Sequence, residues 1–190
     1  MPDLIDTQGR RLYLTSDERA AFLAAAKKAP REVRTFCTVL HDTGARISEA
    51  LALAPESIDF AAGAIIFETL KKRRKGIFRA VPVPAATLDT LDMVHALKES
   101  QNRKAQAFIW SWSRKTAYTR VKEVLQAAGI ADGPHKCPKG LRHGYGVHAI
   151  NSGVPLNMLS KWMGHASLEV TAIYANALGE EQRSIAARMW

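Results

Sequence analysis

The chain has 190 residues, 47% of them hydrophobic, enough for one sizeable core and too few for two ordinary domains. No apolar run approaches the roughly 20 residues of a membrane span, and no signal peptide opens the chain. Of the two cysteines, Cys37 falls on the apolar stripe of a predicted helix and Cys137 in a polar loop, so no disulfide framework and a cytoplasmic protein are expected. With 27 Lys and Arg against 18 Asp and Glu, the net charge of +9 favours a polyanionic partner.

In chain order, helical signals come first. Thr15 and Glu18 have the spacing of a capping box and predict a helix over residues 19–29. Val33, Phe36, Cys37 and Leu40 step as i, i+3, i+4 and i+7, an amphipathic helix that ends near Gly44. Ile47, Ala50, Leu51 and Ala54 continue as a short helix stopped by Pro55. The pattern then changes. Residues 63–69 (GAIIFET) and 77–84 (IFRAVPVP) are β-branched or aromatic and bounded by breakers, so they predict strands of a small sheet. Between them stand five consecutive basic residues, Lys71, Lys72, Arg73, Arg74 and Lys75.

Helix resumes over 84–98, a polar connector spans 99–106, and residues 108–110 predict a short edge strand. Ser113 caps the next helix, on which Ala117, Val121, Val124, Leu125 and Ala128 face one way before Gly129 stops it. Residues 139–152, 155–163 and 168–177 read as successive helices separated by Gly153 and Gly164, and a last amphipathic piece covers 180–190. The expected fold is α+β, mainly α-helical, with one small antiparallel sheet.

Three segments carry polar residues where a core pattern does not ask for them. In TGARISEAL, Arg46 falls at a helix start, where free backbone N–H groups and the helix dipole favour an anion, and a planar guanidinium can grip two phosphate oxygens at once. In KGLRHGYGVHAI, Lys139 and Arg142 share a helix face, whereas His143 and His148, five apart, are poorly spaced as two metal ligands. In KWMGHASLEVTAIYANA, His165 follows Gly164 at a helix break and Tyr174 lies nine residues on. Five like charges on one hairpin repel each other and point to an anionic partner for Lys71–Lys75.

Together these segments are similar to the three boxes of the tyrosine recombinase (phage integrase) family. TGARISE resembles the first-arginine box, GLRHGYGVHAI the second-arginine box, and MGHASLEVTAIYANA the histidine-to-tyrosine box. The 23 residues from Arg142 to His165 and the nine from His165 to Tyr174 fit the family pattern, and the basic hairpin lies between the first two boxes. The resemblance runs from about Leu14 to Ala177.

The resemblance implies a division into an N-terminal extension (1–14), a helical catalytic domain (15–178) and a C-terminal helical tail (179–190), with the family's separate N-terminal DNA-clamping domain absent. It implies site-specific cleavage and rejoining of double-stranded DNA through a covalent 3′-phosphotyrosine, with no metal and no ATP. Arg46 and Arg142 would clamp the scissile phosphate, His165 would bond a non-bridging oxygen and Tyr174 would be the nucleophile. Lys71 best matches the hairpin lysine that protonates the leaving oxygen, with Lys72 and Lys75 as near alternatives. Lys72, Arg73, Arg74, Lys75 and Arg79 would contact DNA, and Glu49 would buttress the arginine box. Lys139 stands where the family usually has histidine. It can donate to phosphate, but with an ordinary lysine pKa of about 10.4 it is a poor proton acceptor near neutrality.

The family assembles as a tetramer on paired DNA sites, and this chain alone is expected to be a monomer, with an accessory DNA-binding protein able to supply the missing clamp. Two other readings stay open: a non-catalytic DNA-binding regulator or truncated mobile-element remnant, and a type IB topoisomerase, which shares the chemistry without exchanging partners.

Overall fold

A computed structural model of the chain describes residues 4–69, 76–102, 107–176, 183 and 186–189. The first helix, α1 (Ser16–Lys28), starts at the predicted capping box: Thr15 Oγ1 accepts from the Glu18 amide at 3.3 Å, and the Glu18 carboxylate accepts from the Thr15 amide at 2.9 Å. Helix α2 (Arg31–Thr43) buries Val33, Phe36, Cys37 and Leu40, and ends on Gly44, whose φ of +60° no side-chain-bearing residue adopts cheaply. Helix α3 (Ile47–Leu51) and a 3₁₀ turn (Pro55–Ser57) lead into the sheet.

Three antiparallel strands, β1 (Ile58–Asp59), β2 (Ala64–Glu68) and β3 (Phe78–Pro82), lie in that order. Ile65 faces Val81 and Phe67 faces Arg79 across the central pair. Alternation along β3 therefore turns Arg79 and Val81 inward and Phe78, Ala80 and Pro82 outward. Thr69 N still donates to Ile77 O at 2.9 Å beyond the strand ends. The basic run Lys71, Lys72, Arg73, Arg74 and Lys75 lies outside the described residues.

The single helix expected over 84–98 is two, α4 (Ala85–His95) and α5 (Leu97–Asn102), because Ala96 turns left-handed at φ 49°. The expected polar connector thus begins as helix. Residues 108–110 are not a strand: Ile109 N makes one ladder-like bond to Leu53 O, and Trp110 drops into the core. The remaining helices are α6 (Arg114–Ala127), capped by Ser113 as expected, α7 (Pro138–Asn151), α8 (Leu156–Met163) and α9 (Glu169–Ala172), followed by a 3₁₀ turn (Ile173–Asn176). Among the described residues no helix is long and apolar enough to cross a membrane, and both cysteines are free.

Two hydrophobic clusters fill the interior. The larger joins α1, α2, α3, α4, α6 and the sheet around Phe22, Phe36, Phe67, Trp110, Val121 and Leu125. The smaller gathers Leu4, Tyr13, Tyr145, Val147, Leu159, Met163 and Tyr174. Helix α7 serves both, with Leu141 in the first and Tyr145 and Val147 in the second. It can approach its neighbours closely because Gly146 carries no Cβ, which would stand 2.6 Å from the Tyr174 ring. The candidate site lies where α7, the end of α2 and the end of α8 meet.

Candidate active site

Arg142 is the centre of the arrangement. It projects from the middle of α7 and is 8% exposed. Its Nη1 donates to Gly44 O at 2.6 Å and its Nη2 to Met163 O at 2.7 Å, so one guanidinium ties the C-terminus of α2 to that of α8. Both acceptors are helix-end carbonyls, where a cation is favoured. Nη2 also stands 3.1 Å from His165 Nε2. Three of the five guanidinium N–H groups are thus engaged, and two have no partner among the described residues. Burial, with Arg46 second, lowers the Arg142 pKa to about 10, so it remains a cation at neutral pH.

Arg46 sits two residues after Gly44, as the N-cap of α3. The Glu49 carboxylate, one turn on, accepts from the Arg46 amide at 2.9 Å and from its Nη1 at 2.8 Å. The same buried carboxylate accepts from Arg79 Nη2 at 2.8 Å. Arg79 also donates through Nε to Trp162 O at 2.7 Å and through Nη1 to Thr69 Oγ1 at 3.2 Å. This corrects one expectation. Arg79 is no surface DNA contact but a buried cross-brace, 5% exposed, that joins the hairpin base, the arginine box and the end of α8. Gly164 fits it: φ there is +63°, and a Cβ would come within 3.0 Å of the Arg79 guanidinium. The inward–outward alternation around Val81 was the signal that could have revealed Arg79 as inward.

His165, next after Gly164, receives Arg142 at Nε2, and its Nδ1 lies 2.7 Å from Thr171 Oγ1 in α9. An Nε2 that accepts from a guanidinium leaves the proton on Nδ1, donating to the hydroxyl. Burial, then the fields of Arg142 and Arg46, push the His165 pKa down to about 3, so the ring is neutral. Tyr174 stacks on this imidazole, centroids 6.1 Å apart and planes 17° apart. It is 1% exposed, and burial raises its pKa to about 12 against the pull of Arg142 and Arg46. Its hydroxyl lies 3.3 Å from His143 Nδ1.

Four of the sequence-predicted residues, Arg46, Arg142, His165 and Tyr174, therefore meet in one place, with Glu49 beneath them. Lys139 lies at the exposed start of α7, one turn before His143, and its ammonium has no hydrogen-bond partner among the described residues. Lys71 and its neighbours lie outside the described residues, although the hairpin base reaches the site through Thr69 and Arg79. His143 and Thr171 were missed as partners of the site. Neither carries a local signal, since each is identified only by what a distant segment brings against it. Arg46 and Arg79 share the one Glu49 carboxylate, and Arg142 lies within the field of all three, so the cluster carries an excess of two positive charges. Such a pocket suits a phosphodiester flanked by a phenol.

The sequence pattern of the phage integrase family matches residues 12–181. The chain belongs to this family. The tyrosine recombinase XerA of Pyrococcus furiosus is 27% identical over 184 residues, covering 92% of this chain. The chain spans 60% of that relative's length. In fold, the chain is similar to a crystal structure of XerA recombinase, with a TM-score of 0.79 at 19% identity, covering 99% of this chain and 66% of that one. A structure of the XerH site-specific recombinase in a post-cleavage complex with its palindromic difH substrate superposes with a TM-score of 0.75 at 21% identity, covering 97% and 55%. This phage integrase family member thus has the family's mainly helical catalytic fold with its small antiparallel sheet.

Proposed function

We propose that this domain breaks and rejoins double-stranded DNA at specific sites, with Tyr174 forming a covalent 3′-phosphotyrosine and neither metal nor ATP taking part. The observation that carries the reading is Arg142, bonded to Gly44 and His165, with Arg46 near enough to act on it electrostatically and the Tyr174 ring stacked on His165, a cluster of net positive charge. A phosphodiester repels nucleophiles and leaves as a poor alkoxide, so the site must spread charge over the equatorial oxygens and supply a proton to the leaving oxygen. Arg46 and Arg142 provide the first, with Lys139 and His165 beside them. A hairpin lysine, Lys71 in the first place, provides the second. The phosphotyrosine conserves the bond energy, so religation needs no nucleotide.

Tyr174 is buried, so DNA must open its cover. The opening is local, because the ring already lies against His165 beside Arg142. On this reading Lys72, Arg73, Arg74 and Lys75 contact the duplex, the chain alone is a monomer that binds DNA with a steep salt dependence, and a tetramer forms on paired sites. The XerH complex with its DNA substrate supports a DNA partner for this fold.

A nicked suicide duplex carrying the recombination site provides the test. The wild-type protein is expected to yield a covalent protein–DNA adduct in the presence of chelator, and Tyr174→Phe none, while still binding the duplex. Binding without adduct in the wild type would leave a DNA-binding regulator as the function, and relaxation of plasmid lacking any site would point to a topoisomerase.

A further inference from the structure

We infer that His143 accepts the phenolic proton of Tyr174 during cleavage and returns it on religation, a role that rests on Tyr174 being the nucleophile. The family resemblance offers Lys139 for this position in the reaction, but Lys139 is at the exposed start of α7. His143, one turn further into the protein, places Nδ1 3.3 Å from the Tyr174 hydroxyl. Among the described residues it is the hydrogen-bond partner of that hydroxyl. On this inference the phenol is the donor, Nδ1 presents its lone pair and the ring carries its hydrogen on Nε2. His165 cannot take the role: its two nitrogens are engaged by Arg142 and Thr171, and its ring stacks on the phenol face.

Burial, then Lys139 and Arg142, hold His143 neutral, with its pKa near 4. A neutral ring can accept a proton but is a weak base. An arriving phosphodiester offsets the field of Arg142 and so raises its basicity when the substrate is in place. In the step, Tyr174 Oη bonds to phosphorus as its proton moves to His143 Nδ1. The P–O5′ bond breaks, and O5′ takes a proton from the hairpin lysine. His143 Nε2 is buried without a partner, so the imidazolium is costly and its proton is readily returned when the 5′ hydroxyl attacks.

Single-turnover adduct formation on the suicide duplex, followed against pH, tests this with His143→Asn. The asparagine amide oxygen stands near the Nδ1 position, so it keeps the hydrogen bond but cannot take the proton. The expected loss is about 10²–10⁴ in rate near neutrality, with the variant's rate climbing as pH rises and DNA affinity unchanged. A 5′-bridging phosphorothiolate, which needs no acid, is expected to rescue Lys71→Ala and not His143→Asn. Wild-type rate and pH profile in His143→Asn, or rescue of it by the phosphorothiolate, would overturn the inference. Fluorotyrosines of falling phenol pKa at position 174 give a second measurement that leaves His143 intact. A pH–rate edge that stays in place supports proton transfer to His143, and an edge that moves with the phenol overturns it. No adduct from the wild type sinks the nucleophile reading itself, and the role of His143 with it.

Discussion

Around Phe36, Trp110, Val121 and Leu125 the interior is mainly apolar, and the Trp110 indole is satisfied by donating to Glu32 O and Thr35 Oγ1. Around Tyr174 the interior is half polar. Tyr13, Tyr145, Leu159 and Met163 pack there, but buried Arg142 holds the helix ends together, and the Glu49–Arg79 pair braces it from the sheet side. The first region gains chiefly from the area it removes from water. The second carries desolvation costs that only its paired geometry offsets.

The sharpest way to break this contrast is Glu49→Ala. It leaves Arg79 buried with no counter-charge, and removing one partner of such a pair typically costs about 3–5 kcal/mol. Urea unfolding of the variant is expected to show that loss together with a fall in adduct rate, since Arg46 loses the same carboxylate. A midpoint near wild type would mean that the charged end is not held together by pairing.

Leu125→Ala is the matching change in the apolar region, where the side chain is fully buried. Truncation there is expected to cost about 2–5 kcal/mol. The adduct rate per folded molecule should stay at the wild-type value. A rate that falls in proportion to stability would show that the two regions are mechanically one.

Acid sharpens the comparison with the smallest effect. All six histidines have pKa values lowered from the ordinary 6.5, burial being the first cause in each. The unfolded chain therefore binds these protons first. Stability present above pH 6.5 is lost as pH falls towards the folded values, about 4 for His143 and about 3 for His165. Glu49, also lowered, adds to the loss only below about its ordinary 4.5. Unfolding midpoints measured at pH 7.5 and 5 should thus fall in the wild type and fall less in His165→Asn. Leu125→Ala should lower both midpoints equally, and a pH-dependent difference for it would show that its packing is coupled to the titrating histidines.

Periodicity and caps alone determined the helices from α1 to α3 and from α6 to α8, since Thr15, Ser113, Gly44 and Gly164 act within a turn or two of the residues they stop or start. The three boxes were legible through the family resemblance, which implied Arg46, Arg142, His165 and Tyr174 as members of one site. What periodicity missed was local too: Ala96 breaks a helix without any breaker residue, and Trp110 sinks out of an expected strand because Phe36 and His95 receive its ring. Only the tertiary structure decided that Arg79 points at Glu49 and that the Tyr174 hydroxyl rests on His143. Those contacts join residues 30 and 31 positions apart. Their energy comes from excluding water around a charge or a phenol, and that exclusion exists only when distant segments close over it.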